Sequence, residues 1–372
     1  MLYRALGRTG RKVSAIGFGG MRFADMNDIE GSAELVRQAY AAGLTYFDTA
    51  PGYGRGKSEE IFGAAFRDMR RTRRERPFTV ATKTSVRTAA EVRPQIEQSL
   101  ERMGLDHVDC YHVWCVITPE DFAKRRANGV LDEFVRLKEE KLVRHIFLSS
   151  HMTGPEIAGA LGEFPFEGLL LGYSAMNFAY REDGVQAAAD RGVGVVCMNP
   201  LGGGIIPSHP ERFAFLRTGR ESVAQAALRF LLDDPRIAVA LVGFSNAAEL
   251  REATAAAEGF EGLPPGRRSH MRESLKAAFN EMCTGCGYCD ECPEGVPIPK
   301  LMEAYNHRLL SGKDGPMMNR LRWHWGIEAD DPYLAACEAC GRCEELCTQK
   351  LPIIQRLAEV REAAEAAQAA EG

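Results

Sequence analysis

Eight short β-branched runs, each followed by an amphipathic stretch, and a crowd of cysteines confined to the end of the chain predict an α/β protein in two parts. The first is expected to be a closed (β/α)8 barrel of the TIM type, the second a small, mostly helical domain. The division is placed at 1–262 and 263–372. A length of 372 residues exceeds what one core usually organises, which agrees with two parts.

In chain order, residues 3–12 form a hairpin that plugs the barrel's base. The strands are then "VSAIGFGG", "TYFDTA", "FTVATKT", "VDCYHVW", "VRHIFLSS", "GLLLGYSAMN", "VGVVCMNPL" and "IAVALVGF". They are nearly continuous apolar runs rather than alternating ones, as a parallel sheet covered by helices requires. Helices such as "SAELVRQAYAAG" (32–43), "AAEVRPQIEQSLERMG" (89–104) and "NAAELREATAAAE" (246–258) open near Ser, Asp or Asn, and several close at Gly. Eight such units close most readily into a barrel. An open doubly wound sheet is the rival, but no strand runs into GxGxxG opening a helix. "GFEGLPPGRRSH" (259–270), rich in Gly, Pro and charge, is the exit linker, and "HMRESLKAAFNEM" carries the chain helically into Cys283.

Hydrophobic residues at 45% and charged residues at 26% are those of a soluble globular chain. With 46 basic against 51 acidic residues the net charge is -5, so no nucleic acid partner is expected, because phosphate binding needs a concentrated positive face. No stretch of about 18 uninterrupted apolar residues occurs, so no membrane span is expected. "MLYRALGRTGRKVSAIGFGG" lacks the apolar centre of a secretory signal, and a cytoplasmic location is the expectation. In a reducing compartment cysteine serves as metal ligand or catalyst before it serves as disulfide.

Of eleven cysteines, Cys110, Cys115 and Cys197 stand alone and the other eight form two runs. These are Cys283-x2-Cys286-x2-Cys289-x2-Cys292 and Cys337-x2-Cys340-x2-Cys343-x3-Cys347. Three cysteines so closely spaced can wrap one corner of an iron–sulfur cubane, and in two-cluster ferredoxins the fourth ligand comes from the other run. The expected sets are Cys283, Cys286, Cys289 and Cys347 for one [4Fe–4S] cluster, and Cys337, Cys340, Cys343 and Cys292 for the other. Zinc, the alternative, usually takes well-separated CxxC pairs, which these runs are not. The second domain is therefore expected to be a two-cluster, ferredoxin-like unit that unfolds on metal loss.

In a barrel of this kind chemistry sits at the C-terminal ends of the strands. Arg22 follows the first strand. Asp48 ends the second, with Tyr53 in the loop beyond. Lys83 ends the third and Trp114 the fourth; Ser149, Ser150 and His151 end the fifth and Asn177 the sixth. Asp48, Tyr53 and Lys83 on one mouth make a proton-donating set. The lysine is expected to lower the pKa of the phenol while the aspartate holds the lysine charged. Singly, they would be a barrel ion pair and a loop aromatic.

"YFDTAPGYGRGKSEEIFGAAF", "VATKTS" and "LVRHIFLSSH" resemble the aldo-keto reductase superfamily, and the tail resembles its branch with a C-terminal 4Fe-4S dicluster domain. The resemblance covers essentially the whole chain. It implies NADPH or NADH across the barrel mouth and reduction of a small-molecule carbonyl-type substrate, with Tyr53 protonating the oxygen beside Asp48 and Lys83. It also implies cofactor contacts from Ser149, Ser150 and Asn177, from Leu201, Gly202 and Gly203 in "PLGGG", and from Ser245 and Asn246.

The chain departs from that pattern in places. Trp114 stands where the family has its catalytic histidine. His112, two residues earlier on the same inward face, is expected to lie a layer deeper as a satisfied core histidine. Gly243 and Glu249 occupy positions where NADPH-using members carry cations, leaving Ser245, Asn246, the helix N-terminus and Arg251. Tyr173 replaces a carboxamide-binding glutamine, and Met198 an aromatic. The clusters imply service to a redox partner protein, to a substrate needing single electrons, or to stability alone. A nicotinamide gives two electrons together, each cluster accepts one, and no flavin motif occurs. The other reading is an electron-transfer or interaction protein whose barrel has lost reductase activity. "NRLRWHWG" (319–326) is expected to be a helix packed on the barrel with Trp323 and Trp325 buried, or else a docking surface.

Overall fold

The computed structural model describes residues 1–176, 178–278, 282–283, 289–347 and 351–371. A hairpin of β1 (Tyr3–Ala5) and β2 (Lys12–Ser14) precedes β3 (Ile16–Gly19), β4 (Tyr46–Asp48), β5 (Thr79–Thr84) and β6 (Val108–Val116). β7 (Val143–Ser150), β8 (Gly168–Gly172), β9 (Gly194–Met198) and β10 (Ile237–Val242) follow. Strands β3 to β10 form a closed, all-parallel barrel in sequence order, with β10 pairing both β9 and β3. Each barrel strand arises from one of the eight apolar runs, but β6 runs two residues past its own, and the first run gives Val13 and Ser14 to the hairpin, which extends to Ser14 rather than ending at residue 12.

Tyr46, Ala81, Cys110, Phe147, Leu170 and Val196 fill the interior, and Leu6 and Val13 of the hairpin segment close it from beneath without exposure. Gly7, at φ +52, lies so close to the backbone of Gly194 that a Cβ would overlap it, so the plug requires glycine there. Capping sets the helix ends. Asp28 accepts from the Gly31 N–H at 2.9 Å to start Ile29–Ala41, and Asn246 accepts from two N–H groups to start Ala247–Ala257. Among the described residues, no helix is long and apolar enough to cross a membrane.

The exit segment is shorter than the sequence suggests, because the helix Arg267–Ala278 begins inside it. The basic residues there are anchors. Arg267 donates to the Phe215 and Arg217 carbonyls at 2.6 Å each, and Arg268 pairs with Asp234 at 2.8 Å.

Beyond it, the helices Ile298–Ser311, Asp314–Arg320 and Ile353–Glu371 build a second apolar core. Leu301, Met302, Met317, Leu321, Trp325 and Val360 pack there with Cys289, Cys343 and Cys347. Only one of the two indoles is buried as expected: Trp325 is 2% exposed and Trp323 66%. Leu321–Trp325 winds as a single wide turn, and residues two apart on any helical turn point to roughly opposite sides. Trp325 therefore faces the core and Trp323 faces solvent.

Candidate functional site

Asp48 and Lys83 project inward from adjacent strands β4 and β5, and both are buried (0–1% exposed). The Lys83 ammonium donates to Asp48 Oδ1 and, at 2.7 Å, to the carbonyl of Thr49. Tyr53 is half-buried in the loop after β4, with Lys83 Nζ 5.2 Å from its ring centroid. Three expected residues are thus brought together, and Thr49, which sequence reasoning passed over, supplies a second acceptor for the lysine.

Burial weakens the charged form of both partners, raising Asp48 and lowering Lys83, and their mutual attraction offsets only part of this. Tyr53 departs from expectation. Burial first, then the charge of Asp48, pushes the phenol well above its ordinary value instead of lowering it. The hydroxyl is held in its protonated form.

Trp114 lies beside the expected proton donor. Its ring meets Tyr53 edge-on with centroids 5.7 Å apart, and its carbonyl is held by Arg125 at 2.8 Å. A bulge just beyond it, with Cys115 at φ +59, shifts the β6–β7 register between Val113 and Val116.

The expectation for His112 is corrected in one respect, its hydrogen bonding. The barrel's stagger pairs it directly with Lys83 across β5 and β6, so it stands level with the lysine. It is unsatisfied: both ring nitrogens are buried without a hydrogen-bond partner, and Nε2 lies 3.9 Å from Asp48 Oδ2.

The implied cofactor residues divide. Ser149 Oγ is buried without a partner at the end of β7, while Ser150 Oγ donates to the Val116 carbonyl and accepts from the Met152 N–H, both at 3.1 Å. Tyr173 donates to Glu182 at 2.7 Å, and Asn177 lies outside the described residues. Leu201 leads into Gly202–Gly204, all at positive φ, and a Cβ on Gly203 or Gly204 would meet nothing within 4 Å. That turn leaves backbone room for an anionic ligand. At the last barrel helix, Glu249 folds back on its own N-terminus and accepts from Ser245 N–H at 2.8 Å and Asn246 Nδ2 at 3.0 Å. Ser245 Oγ donates to the Arg22 carbonyl. The orphaned Ser149 hydroxyl and the open glycine turn fit a nicotinamide nucleotide, whereas the carboxylate at the helix start does not fit a 2′-phosphate.

The tail roofs part of this mouth. The His324 ring lies 5.3 Å from the His151 ring after β7, and its nitrogens are 3.4 and 3.5 Å from Asn199 Nδ2 after β9. Arg181 donates to the carbonyls of His151, Met152 and Gly172, and its guanidinium stacks 4.8 Å from the Trp325 ring. Trp325 in turn donates to Glu303, which is buried against Arg320.

Burial holds His151 at about 3, His307 at about 4 and His324 well below the ordinary imidazole value, aided for His151 and His324 by nearby arginines. Unfolded, these groups titrate near 6.5, so below about that pH the unfolded chain binds more protons. Stability is therefore fullest above pH ~6.5 and falls as the pH drops below it, because protons bind these histidines in the unfolded chain before they bind them in the folded one. Thermal unfolding followed from pH 7 to 4.5 should show that fall, and His324→Asn should flatten it.

The thiols gather as the spacing suggests, so far as they are described. Cys289 and Cys292 of the first run line one cavity with Cys337, Cys340 and Cys343 of the second. Cys289, Cys343 and Cys347 share the tail's apolar core, with Cys283 packed against it; Cys286 lies outside the described residues. Ala339, at φ +55, turns its N–H onto Cys337 Sγ at 3.4 Å, and the Leu351 N–H meets Cys347 Sγ at 3.4 Å. Asn306 pins the peptide of Cys283 through two hydrogen bonds, and Glu291 pairs with Arg342 between the runs. Among the described residues no group of His, Cys, Asp or Glu forms a single-ion site. An all-thiol set around a cavity, with N–H groups turned to sulfur, fits an iron–sulfur cluster.

A closed parallel barrel with a buried lysine–aspartate pair beside a tyrosine at its mouth, fused to a thiol-lined helical unit, defines an α/β-barrel oxidoreductase with an iron–sulfur tail. Residues 15–261 match the Aldo/keto reductase family and residues 282–351 the 4Fe-4S dicluster domain. The chain belongs to the aldo/keto reductase family.

It is 29% identical over 290 residues to L-galactose dehydrogenase of Arabidopsis thaliana, covering 70% of this chain and 89% of the relative. It is 26% identical over 309 residues to L-glyceraldehyde 3-phosphate reductase of Escherichia coli (strain K12), covering 68% and 86%. A solved aldo-keto reductase from Bacillus halodurans, in its holo form, superposes with a TM-score of 0.64 at 23% identity. That match covers 73% of this chain and 96% of the other, and it speaks to the fold alone.

Proposed function

We propose that the protein reduces a small carbonyl compound at the barrel mouth with NADH, and that the tail separately holds two [4Fe–4S] clusters that exchange single electrons with an external redox partner. The observation that carries the reading is the Lys83 ammonium, buried between Asp48 and the Thr49 carbonyl and 5.2 Å from the Tyr53 ring. Bound nicotinamide would supply the hydride. Tyr53, kept protonated, gives its proton to the substrate oxygen. Lys83 stabilises the phenolate left behind, and Asp48 holds Lys83 charged and aimed. Trp114 fixes the plane of the Tyr53 ring. Ser149 and the Gly202–Gly204 turn would hold the nucleotide. Cys283, Cys286, Cys289 and Cys347 would hold one cluster, and Cys292, Cys337, Cys340 and Cys343 the other.

Anaerobic titration with NADH and an aldehyde, following nucleotide oxidation and cluster absorbance together, tests the proposal. Absence of any nucleotide binding would remove the reductase reading and leave the clusters. The assignment of NADH rests on Glu249 filling the helix start. NADH is expected to bind at least about tenfold more tightly than NADPH, whose added phosphate would face that carboxylate at close range. Glu249→Gln should narrow the ratio in a nucleotide-fluorescence titration, and equal wild-type affinities would refute the assignment.

A second reading, an electron-transfer protein with a silent barrel, is favoured by one observation: Ser150 and Tyr173 are already committed to partners within the protein. Cluster reduction by an external donor with no nucleotide binding would support it.

A further inference from the structure

Inside the barrel, Tyr46 Oη, Asp48 Oδ2, Ser149 Oγ and both ring nitrogens of His112 are buried without a hydrogen-bond partner. All project inward. Tyr46 lies two residues below Asp48 on β4, and Ser149 two residues above Phe147, which pairs with His112 across β6 and β7. Buried polar groups are nearly always paired, through protein or ordered water, and a contiguous group of exceptions calls for a cause. Among these atoms Asp48 Oδ2 and His112 Nε2 stand 3.9 Å apart. That span is too long for a direct hydrogen bond, and a single bent water bridge covers it.

We infer that His112 is a positioning residue for Asp48, its Nε2–H bonded through one buried water to Oδ2. The inference rests on the proposed use of Asp48, Lys83 and Tyr53 as one set. Lys83 already occupies Oδ1, so Oδ2 is the acceptor left on the carboxylate. The Phe147 ring packs edge-on against the imidazole, with centroids 5.1 Å apart.

The groups that face it from each neighbouring element are Asp48 and Tyr46 of β4, Lys83 of β5, and Cys110 on its own strand; β7 presents the uncharged Phe147 and Ser149. Burial and the Lys83 charge keep His112 neutral, which leaves it one N–H to give. A donor on Oδ2 favours the ionised carboxylate and opposes the burial that raises Asp48. Ionised Asp48 keeps Lys83 charged beneath Tyr53. His112 thus acts on the carboxylate.

A histidine with a purely structural role predicts that His112→Phe, which keeps a ring and removes two unpaired nitrogens, leaves the melting temperature unchanged or raised and the pH profile unmoved. The inference predicts a folded His112→Phe protein whose kcat for an aldehyde falls at least about tenfold, with KM within about twofold. It also predicts that the acid limb of the kcat profile moves up by about one pH unit and that His112→Gln, which retains an N–H donor, recovers most of the loss.

A readout free of turnover is the infrared band of a protonated carboxylic acid, assigned to Asp48 by its disappearance on Asp48→Asn. The band is expected in His112→Phe at neutral pH and absent from the unaltered protein. His112→Leu carries the same comparison should phenylalanine disturb the barrel. An unmoved pH profile, or no such band in either variant, overturns the inference. If the protein reduces no carbonyl at all, the proposed function falls and the infrared band still decides the role of His112.

Discussion

Tyr53→Phe is expected to lower carbonyl reduction by about 10²- to 10⁴-fold while NADH affinity stays within about twofold. The magnitude is that of one positioned proton donor. The change removes a single oxygen and keeps the ring that packs edge-on against Trp114, so the loop should hold its shape. Lys83→Met should cost a comparable factor for a different reason. It leaves Asp48 buried without its cation, which costs stability as well as rate, so the melting temperature should fall for this variant and not for Tyr53→Phe. Because the two residues act as a unit, the double variant should be little slower than the worse single one. Pre-steady-state oxidation of NADH at saturating aldehyde measures all three. If Tyr53→Phe turns over at the original rate, the proton comes from elsewhere and the assignment of the mouth is wrong.

The parts of this arrangement visible in the sequence are those set by local pattern. The barrel strands announce themselves because burial on both faces leaves unbroken apolar runs, and Asp48 and Lys83 interrupt two of them at their ends. Proximity across strands is less accessible. The level at which His112 meets Lys83 depends on the stagger of a closed barrel, which no single strand records. The direction of the Tyr53 shift is hidden for a similar reason: burial and the Asp48 charge raise the phenol, and burial is a tertiary property.

Glu249 departs from the NADPH pattern, and its fold-back is also readable in the sequence. Asn246 followed three residues later by glutamate is a helix-start pattern in which the carboxylate turns toward the first N–H groups. The contact of the tail with the mouth through His324 and Trp325 joins residues more than a hundred positions apart, and nothing local encodes it.

Cys292→Ala is expected to remove about half of the iron and sulfide, although the three-cysteine run Cys337, Cys340 and Cys343 stays intact. The loss should come from the cluster on that second run, because Cys292 faces the cavity those cysteines line. Uncrossed ligation, with each run serving one cluster, predicts the same loss for the single variant and must be separated by a pair. In Cys292→Ala/Cys340→Ala, crossed ligation strikes one cluster twice and leaves about half the metal, whereas uncrossed ligation strikes both and leaves almost none.

The structural consequence follows from where the thiols sit. Cys289, Cys343 and Cys347 belong to the same apolar core as Trp325, so removing both clusters by oxidation and chelation withdraws the centre around which that core packs. Trp325 should then move into water, its emission shifting to the red, and far-UV dichroism should lose helix from Ile298–Ser311 and Ile353–Glu371. The barrel has its own core and should survive. A metal-free protein whose tryptophan emission and helix content match those of the loaded one would mean that the clusters are passengers on a fold that stands without them.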